Sequence, residues 1–146
     1  MISKHMTKRK KLGDIIEIPV KGGFAYAQYV NEIEKYGSLL IVFPKINKVR
    51  LNKFSELYLG DCYHICFPLA AAISKNIFKV VSNEPIPDFA ANIPVFKSGF
   101  FSKEGGIVEG SWYLWDGKKE WKVGTLTKEM ENYPDRGVIN DTLLIE

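Results

Sequence analysis

Residues 14–33 read Asp14-Ile15-Ile16-Glu17-Ile18-Pro19-Val20, then Lys21-Gly22-Gly23, then Phe24-Ala25-Tyr26-Ala27-Gln28-Tyr29-Val30-Asn31-Glu32-Ile33. β-branched and aromatic residues crowd both runs, and a Gly-Gly pair parts them. The spacing predicts two antiparallel strands, over 14–20 and 24–33, joined by a tight turn. Along the second strand Phe24, Tyr26, Gln28 and Val30 share one face, and Ala25, Ala27, Tyr29 and Asn31 the other. Small alanines between aromatics predict close packing across a strongly curved hairpin.

The pattern continues outward from this hairpin. Leu39-Leu40-Ile41-Val42 is continuous, which predicts a third strand over 38–43 buried on both faces. Residues 61–67 and 77–82 are expected to form a further pair. Residues 111–115 and 120–124 make the clearest hairpin, joined by Asp116-Gly117-Lys118-Lys119, where Asp-Gly supplies the positive φ of such turns. Thr127 is expected to cap a short helix over 128–133, stopped by Pro134. Leu143-Leu144-Ile145 is an expected last strand. No long stretch carries a helical apolar stripe. The fold class expected is mainly β: a small antiparallel SH3-like barrel or rolled sheet with one or two short helices, with α+β as the alternative. The stretch 83–99, with Pro85, Pro87 and Pro94, is expected as an excursion within one domain. The organisation expected is a basic, disordered arm over 1–12 and a single domain over 13–146.

The 146 residues, 46% hydrophobic and 25% charged, are ordinary for a globular domain with its own core. No apolar run approaches the ~20 residues of a membrane span. The basic start runs into Gly13-Asp14 rather than an apolar segment, so no secretory signal is expected and the location expected is cytoplasmic. Two cysteines do not make a disulfide framework. The net charge of +3 is unevenly placed. Lys4, Lys8, Arg9, Lys10 and Lys11 meet no acid before residue 13, and the other 15 basic residues face 17 acidic ones. A basic arm of that kind suits a solvated tail, or a contact with nucleic acid.

Asp61-Cys62-Tyr63-His64-Ile65-Cys66 is the densest cluster of chemically capable side chains. On a strand, Cys62, His64 and Cys66 point the same way, and thiolates with imidazole are sound zinc ligands. Same-face neighbours on one strand splay ~7 Å apart, too far to meet one ion without a bend. His5 is the one other histidine. No metal or cofactor is therefore expected. The chain also has no Gly-x-Ser-x-Gly elbow and no Walker-type phosphate loop, so no catalytic residue is assigned. The aromatics Trp112, Tyr113, Trp115 and Trp121 suit either a core or an exposed anchor, and Trp115 and Trp121, flanking the Asp-Gly turn, are expected to pair across the hairpin.

Several segments, in order, resemble the immunity protein 26 family of bacterial polymorphic toxin systems. They are Gly13-Asp14-Ile15-Ile16-Glu17-Ile18-Pro19, Gly23-Phe24-Ala25-Tyr26-Ala27-Gln28, Pro94-Val95-Phe96-Lys97, Trp112-Tyr113-Leu114-Trp115-Asp116-Gly117, Val123-Gly124 with Leu126-Thr127, and Leu143-Leu144-Ile145. The likeness is patchy and extends from residue 13 to 145. It implies a cytosolic antidote without catalytic group or cofactor, monomeric alone, that binds a cognate toxin domain one to one and blocks it. Some relatives carry a phosphotriesterase label, for which this chain supplies too few histidines. The opening strand also resembles, more distantly, the MazF/PemK-like ribonuclease toxins. Those continue with an Arg-Pro pair where this chain has Phe24-Ala25.

If the toxin carries a basic cleft, acids would steer the encounter. The candidates are Glu32 and Glu34 after the second strand, Glu104 and Glu109 beside Gly105-Gly106, and Glu129 and Glu131 on the short helix, with Trp115 and Trp121 as aromatic anchors. Two other classes remain open. One is a small hydrolase or ribonuclease with His64 as general base oriented by Asp61. The other is a nucleic-acid-binding module using the basic arm and a Trp115/Trp121 platform.

Overall fold

The structure, a computed structural model, describes residues 10–100 and 102–136. Strand outweighs helix three to one, 42% against 14%, so the fold is mainly β, with two antiparallel sheets and two short α-helices. The expected closing strand at 143–145 and most of the basic arm lie outside the described residues. Contacts group the chain into two compact units with the boundary between Asn92 and Ile93. That boundary falls inside the proline-rich 83–99 stretch expected as an excursion within one domain.

The first unit is a five-stranded sheet: β1 (Asp14–Val20), β2 (Gly23–Ile33), β3 (Gly37–Asn47), β4 (Tyr63–Phe67) and β5 (Lys79–Asn83), in the order β4-β3-β2-β1-β5. The sheet is open, with β4 and β5 as its edges, so among the described residues it does not close into a barrel. The expected pairing of the fourth and fifth strands is overturned. β4 pairs with β3, and β5 with β1, at opposite edges. The cause is the link between them. After Pro68, residues Leu69–Ser74 form helix α1, which ends where Asn76 turns left-handed at φ 59°. Asn76 and Ile77 then donate their backbone N–H groups to the carbonyls of Ile73 and Ala72.

Each face of the sheet has its own cover. Cross-strand partners share a face. Ile16, Ala27 and Val42 form one row, and Tyr29, Leu40 and Ile65 another. These pack with Leu69, Ala72 and Ile73 of α1 and with Phe78, whose ring stacks on Phe67 at 5.2 Å. Ala25 and Ala27 on this face leave room for the helix. The opposite face carries Glu17, Tyr26 and Phe43 in one row and Ile15, Gln28, Ile41 and His64 in the next. There Phe54 meets Tyr26 edge-on at 5.6 Å, and Tyr58, in a 3-10 turn over Ser55–Leu59, meets Phe43 at 5.2 Å. A short helix α2 (Asp88–Ala91) packs on β2. Burial on both faces explains why Leu39 to Val42 need not alternate; all four are buried, as expected.

The second unit is a three-stranded sheet of β6 (Phe96–Ser98), β7 (Trp112–Trp115) and β8 (Glu120–Gly124), in that order. The expected hairpin stands. Asp116 Oδ1 accepts the backbone N–H groups of Lys118 and Lys119 at 2.9 and 2.8 Å, and Gly117 takes φ 97°. Those N–H groups hold the Asp116 carboxyl below its ordinary range. The chain at Pro134 to Arg136 runs parallel to β6, exchanging bonds with Lys97 on both sides. The helix expected over 128–133 is a single 3-10 turn, Met130–Asn132, whose Met130 N–H reaches Thr127 Oγ1 at 3.3 Å.

Candidate interaction surface

The cluster on β4 divides by burial. Asp61 is exposed, Cys62 and His64 are half-buried, and Cys66 is buried. Both cysteines are free thiols. Burial raises both; Cys66 is pushed up to about 11, which suppresses the thiolate a nucleophile or metal site needs. Burial also lowers the His64 pKa, and no hydrogen bond reaches its Nε2. No ion pair joins Asp61 to His64 among the described residues. No three His, Cys, Asp or Glu side chains among the described residues converge to hold a metal ion.

The candidate acids divide between the two units, Glu32 and Glu34 in the first and Glu104, Glu109, Glu129 and Glu131 in the second. Glu32 is engaged in the fold: it pairs with Lys10 at 2.8 Å and accepts the Tyr29 hydroxyl at 2.7 Å. Burial works against its charge, but the donors Lys10, Tyr29 and Ser38 outweigh it and hold the carboxyl below its ordinary range. Lys10 also donates to Ser38 and lies over the Tyr29 ring, so the last lysines of the basic stretch do not share one environment: Lys10 is half-buried and Lys11 exposed. Glu34, Glu104, Glu109, Glu129 and Glu131 are exposed.

The aromatic pair is corrected. Trp115 stands opposite Glu120 and Trp121 opposite Leu114, so the two do not pair across the hairpin. Trp115 is 6% exposed, against Phe96 at 5.4 Å and under the Arg136 guanidinium at 4.5 Å. It is core of the second unit, and a shared Trp115/Trp121 stacking platform does not form. Trp121, 40% exposed on the outer strand, keeps the anchor role open.

Two features went unread in the sequence. The first is the loop between β6 and β7. The Val108 N–H donates to Phe100 O at 2.7 Å, Ser102 N–H to Gly106 O at 2.7 Å, and Phe100 N–H to Ser111 Oγ at 3.0 Å. This bonding shapes the backbone of a loop on which Phe100, Ile107 and Val108 stand exposed, the Phe100 ring 5.7 Å from that of Tyr113. Glu104 and Glu109 sit on the same loop. Its signal was present: apolar Phe100 and Ile107-Val108 placed either side of Gly105-Gly106. The second is a cleft of about 640 Å3 in the first unit, lined among others by Phe43, Lys45, Leu51, Lys53, Glu56 and Asp61. No local pattern announces it, because it forms where β3 meets the covering segment from residue 48 onward.

No protein-family model, curated protein or solved structure matches this chain.

Proposed function

We propose that this chain is a cytoplasmic immunity protein: a non-catalytic antidote that binds a cognate bacterial toxin domain one to one and covers its active site or substrate surface. The observation that carries the reading is the β6–β7 loop, where backbone hydrogen bonds shape a turn that exposes three apolar side chains, Phe100, Ile107 and Val108, beside Glu104 and Glu109. Exposed apolar anchors beside charge are what protein recognition uses, and a loop already shaped in the free chain loses little backbone entropy on binding. The ordered resemblance of residues 13–145 to immunity protein 26 supplies the class of partner. The acids would speed encounter with a basic, nucleic-acid-cutting domain.

The test is co-expression with the polypeptide encoded immediately upstream, followed by titration of that polypeptide's activity. The expected result is a stoichiometric complex with activity abolished at equimolar chain. Lys replacing both Glu104 and Glu109 should slow association and reduce its salt dependence. A chain that neither co-purifies nor inhibits overturns the reading.

A further inference from the structure

Among the described residues the two sheets end in four edge strands, and three of the four are guarded. β5 opens on the exposed Lys79, and its register with β1 shifts at Val81. β8 exposes Glu120 and Lys122, and its register with β7 shifts between Trp112 and Tyr113. β6 is flanked by residues 134–136, which bond to Lys97 on both sides. Charge, bulges and covering chain are the devices that keep an edge from pairing with another molecule.

The fourth edge has none of them. β4 pairs with β3 through five consecutive residues, Tyr63 to Phe67, with no shift in register. It holds no charged residue, no proline and no glycine. No backbone bond from outside the β3 ladder reaches it among the described residues. Burial favours the neutral imidazole of His64 and keeps the Cys66 thiol protonated. Tyr63 is 44% exposed and shares a face with Ile65 and Phe67. The first turn of α1 follows directly and exposes only the small Ala70 and Ala71, so the helix raises no bulky side chain there.

We propose that β4 pairs antiparallel with β4 of a second copy of this chain, joining two five-stranded sheets edge to edge. The strand's own symmetry selects this occupant. In a two-fold pairing centred on Ile65, Tyr63 stands opposite Phe67, His64 opposite Cys66 and Ile65 opposite itself. Every pair is uncharged, and the exposed Tyr63 ring gains an aromatic neighbour. The next pair out sets Cys62 against Pro68, which has no N–H, so the ladder closes after the same five residues at both ends. A charged strand would meet no counter-charge along residues 63–67, whereas β4 is itself a neutral strand of the right length. The pairing goes beyond the toxin reading and replaces the monomer that the resemblance implies. Each chain keeps its own Phe100–Val108 loop, so the ratio to toxin stays one to one.

The test uses the full chain without toxin. Sedimentation velocity over a concentration series should show a monomer–dimer equilibrium, and hydrogen exchange at the outward amides of residues 63–67 should slow as the dimer fills. Tyr63→Lys puts a charge on the edge at an exposed position, which spares the fold, and circular dichroism checks this. It should weaken the dimer about tenfold or more. Phe89→Lys adds the same charge at a 59% exposed position on α2 and should leave the dimer intact. A chain that stays monomeric up to its solubility limit overturns the pairing. So does a dimer that Tyr63→Lys leaves unchanged, or one whose exchange protection falls outside β4. Inhibition of a toxin stands or falls separately.

Discussion

Tyr58 donates its hydroxyl hydrogen to Oε1 of Gln28 at 2.8 Å, and Gln28 is wholly buried at the centre of the first sheet. The amide nitrogen of Gln28 serves the carbonyls of Gly13, Glu84 and Pro85 at 3.2, 2.9 and 3.4 Å. One side chain therefore ties the covering segment, the start of β1 and the exit from β5 to β2. Burial, then the Glu84 charge, pushes the Tyr58 phenol up to about 12, so it remains a donor at physiological pH.

Replacing Gln28 by Leu takes away the buried acceptor of the Tyr58 hydroxyl and the donor to the Glu84 and Pro85 carbonyls, while the Gly13 carbonyl keeps the Glu84 N–H. The expected loss is about 3 kcal/mol, against about 1 kcal/mol for Tyr58→Phe, where only one bond goes. Urea titration reads both as shifts in midpoint at unchanged slope. The double variant should lose less than the two single losses added, because Tyr58 has no bond left to lose once Gln28 is gone.

The β1–β2 turn makes a second contrast. A Cβ at Gly23 would stand 2.0 Å from Asn47 O, and the backbone there is at φ 151°. At Gly22, φ is 92° with nothing within 4 Å. Gly22→Ala should cost about 1–3 kcal/mol of backbone strain alone. Gly23→Ala must also push β2 from β3 at the mouth of the cleft, and should cost more. Thermal melts of the two variants rank them; equal melting points would mean that the clash is relieved by a small shift.

What was legible in the sequence was local. Ile15 to Val20, Gly22-Gly23 and the Asp116-Gly117 turn announce their own geometry, because φ and period are set by neighbours. Partner choice between strands was not. Tyr63 to Phe67 and Lys79 to Asn83 look equivalent as strands, and only α1 sends them to opposite edges; at six residues it is too short to show a helical period. The burial of Trp115 and exposure of Trp121 also depend on register, since the outer strand β8 offsets the two tryptophans by one position. Of the candidate acids, Glu32 is tied to Lys10, 22 residues away, a pairing no local pattern reveals.

His64 gives the chain a pH dependence of definite sign. Burial lowers its pKa below the ordinary 6.5, so the folded state favours neutral imidazole. The unfolded chain then binds the proton more readily, and stability falls as pH drops below about 6.5 toward the folded value. Above that range the contribution is complete. His64→Gln removes this part of the slope and leaves the carboxylate part. Urea midpoints at pH 7.5 and 5.5 should therefore differ less in the variant than in the parent. An equal difference would mean that His64 titrates alike in both states.

The two tryptophans of the hairpin should separate stability from binding. Trp115 is enclosed by Phe96 and Arg136, so Trp115→Ala should destabilise the second unit by about 3–5 kcal/mol. Trp121 is 40% exposed and stands on β8, an edge strand of its sheet. Trp121→Ala should change stability by less than about 1 kcal/mol, as exposed substitutions do. If Trp121 anchors the partner, the same change should weaken the complex tenfold or more, because exposed aromatics at an interface carry a large share of its affinity. Melting curves and a binding titration on both variants decide the matter. Undiminished binding by the Trp121→Ala chain would remove Trp121 from the interface and leave the Phe100–Val108 loop to account for recognition.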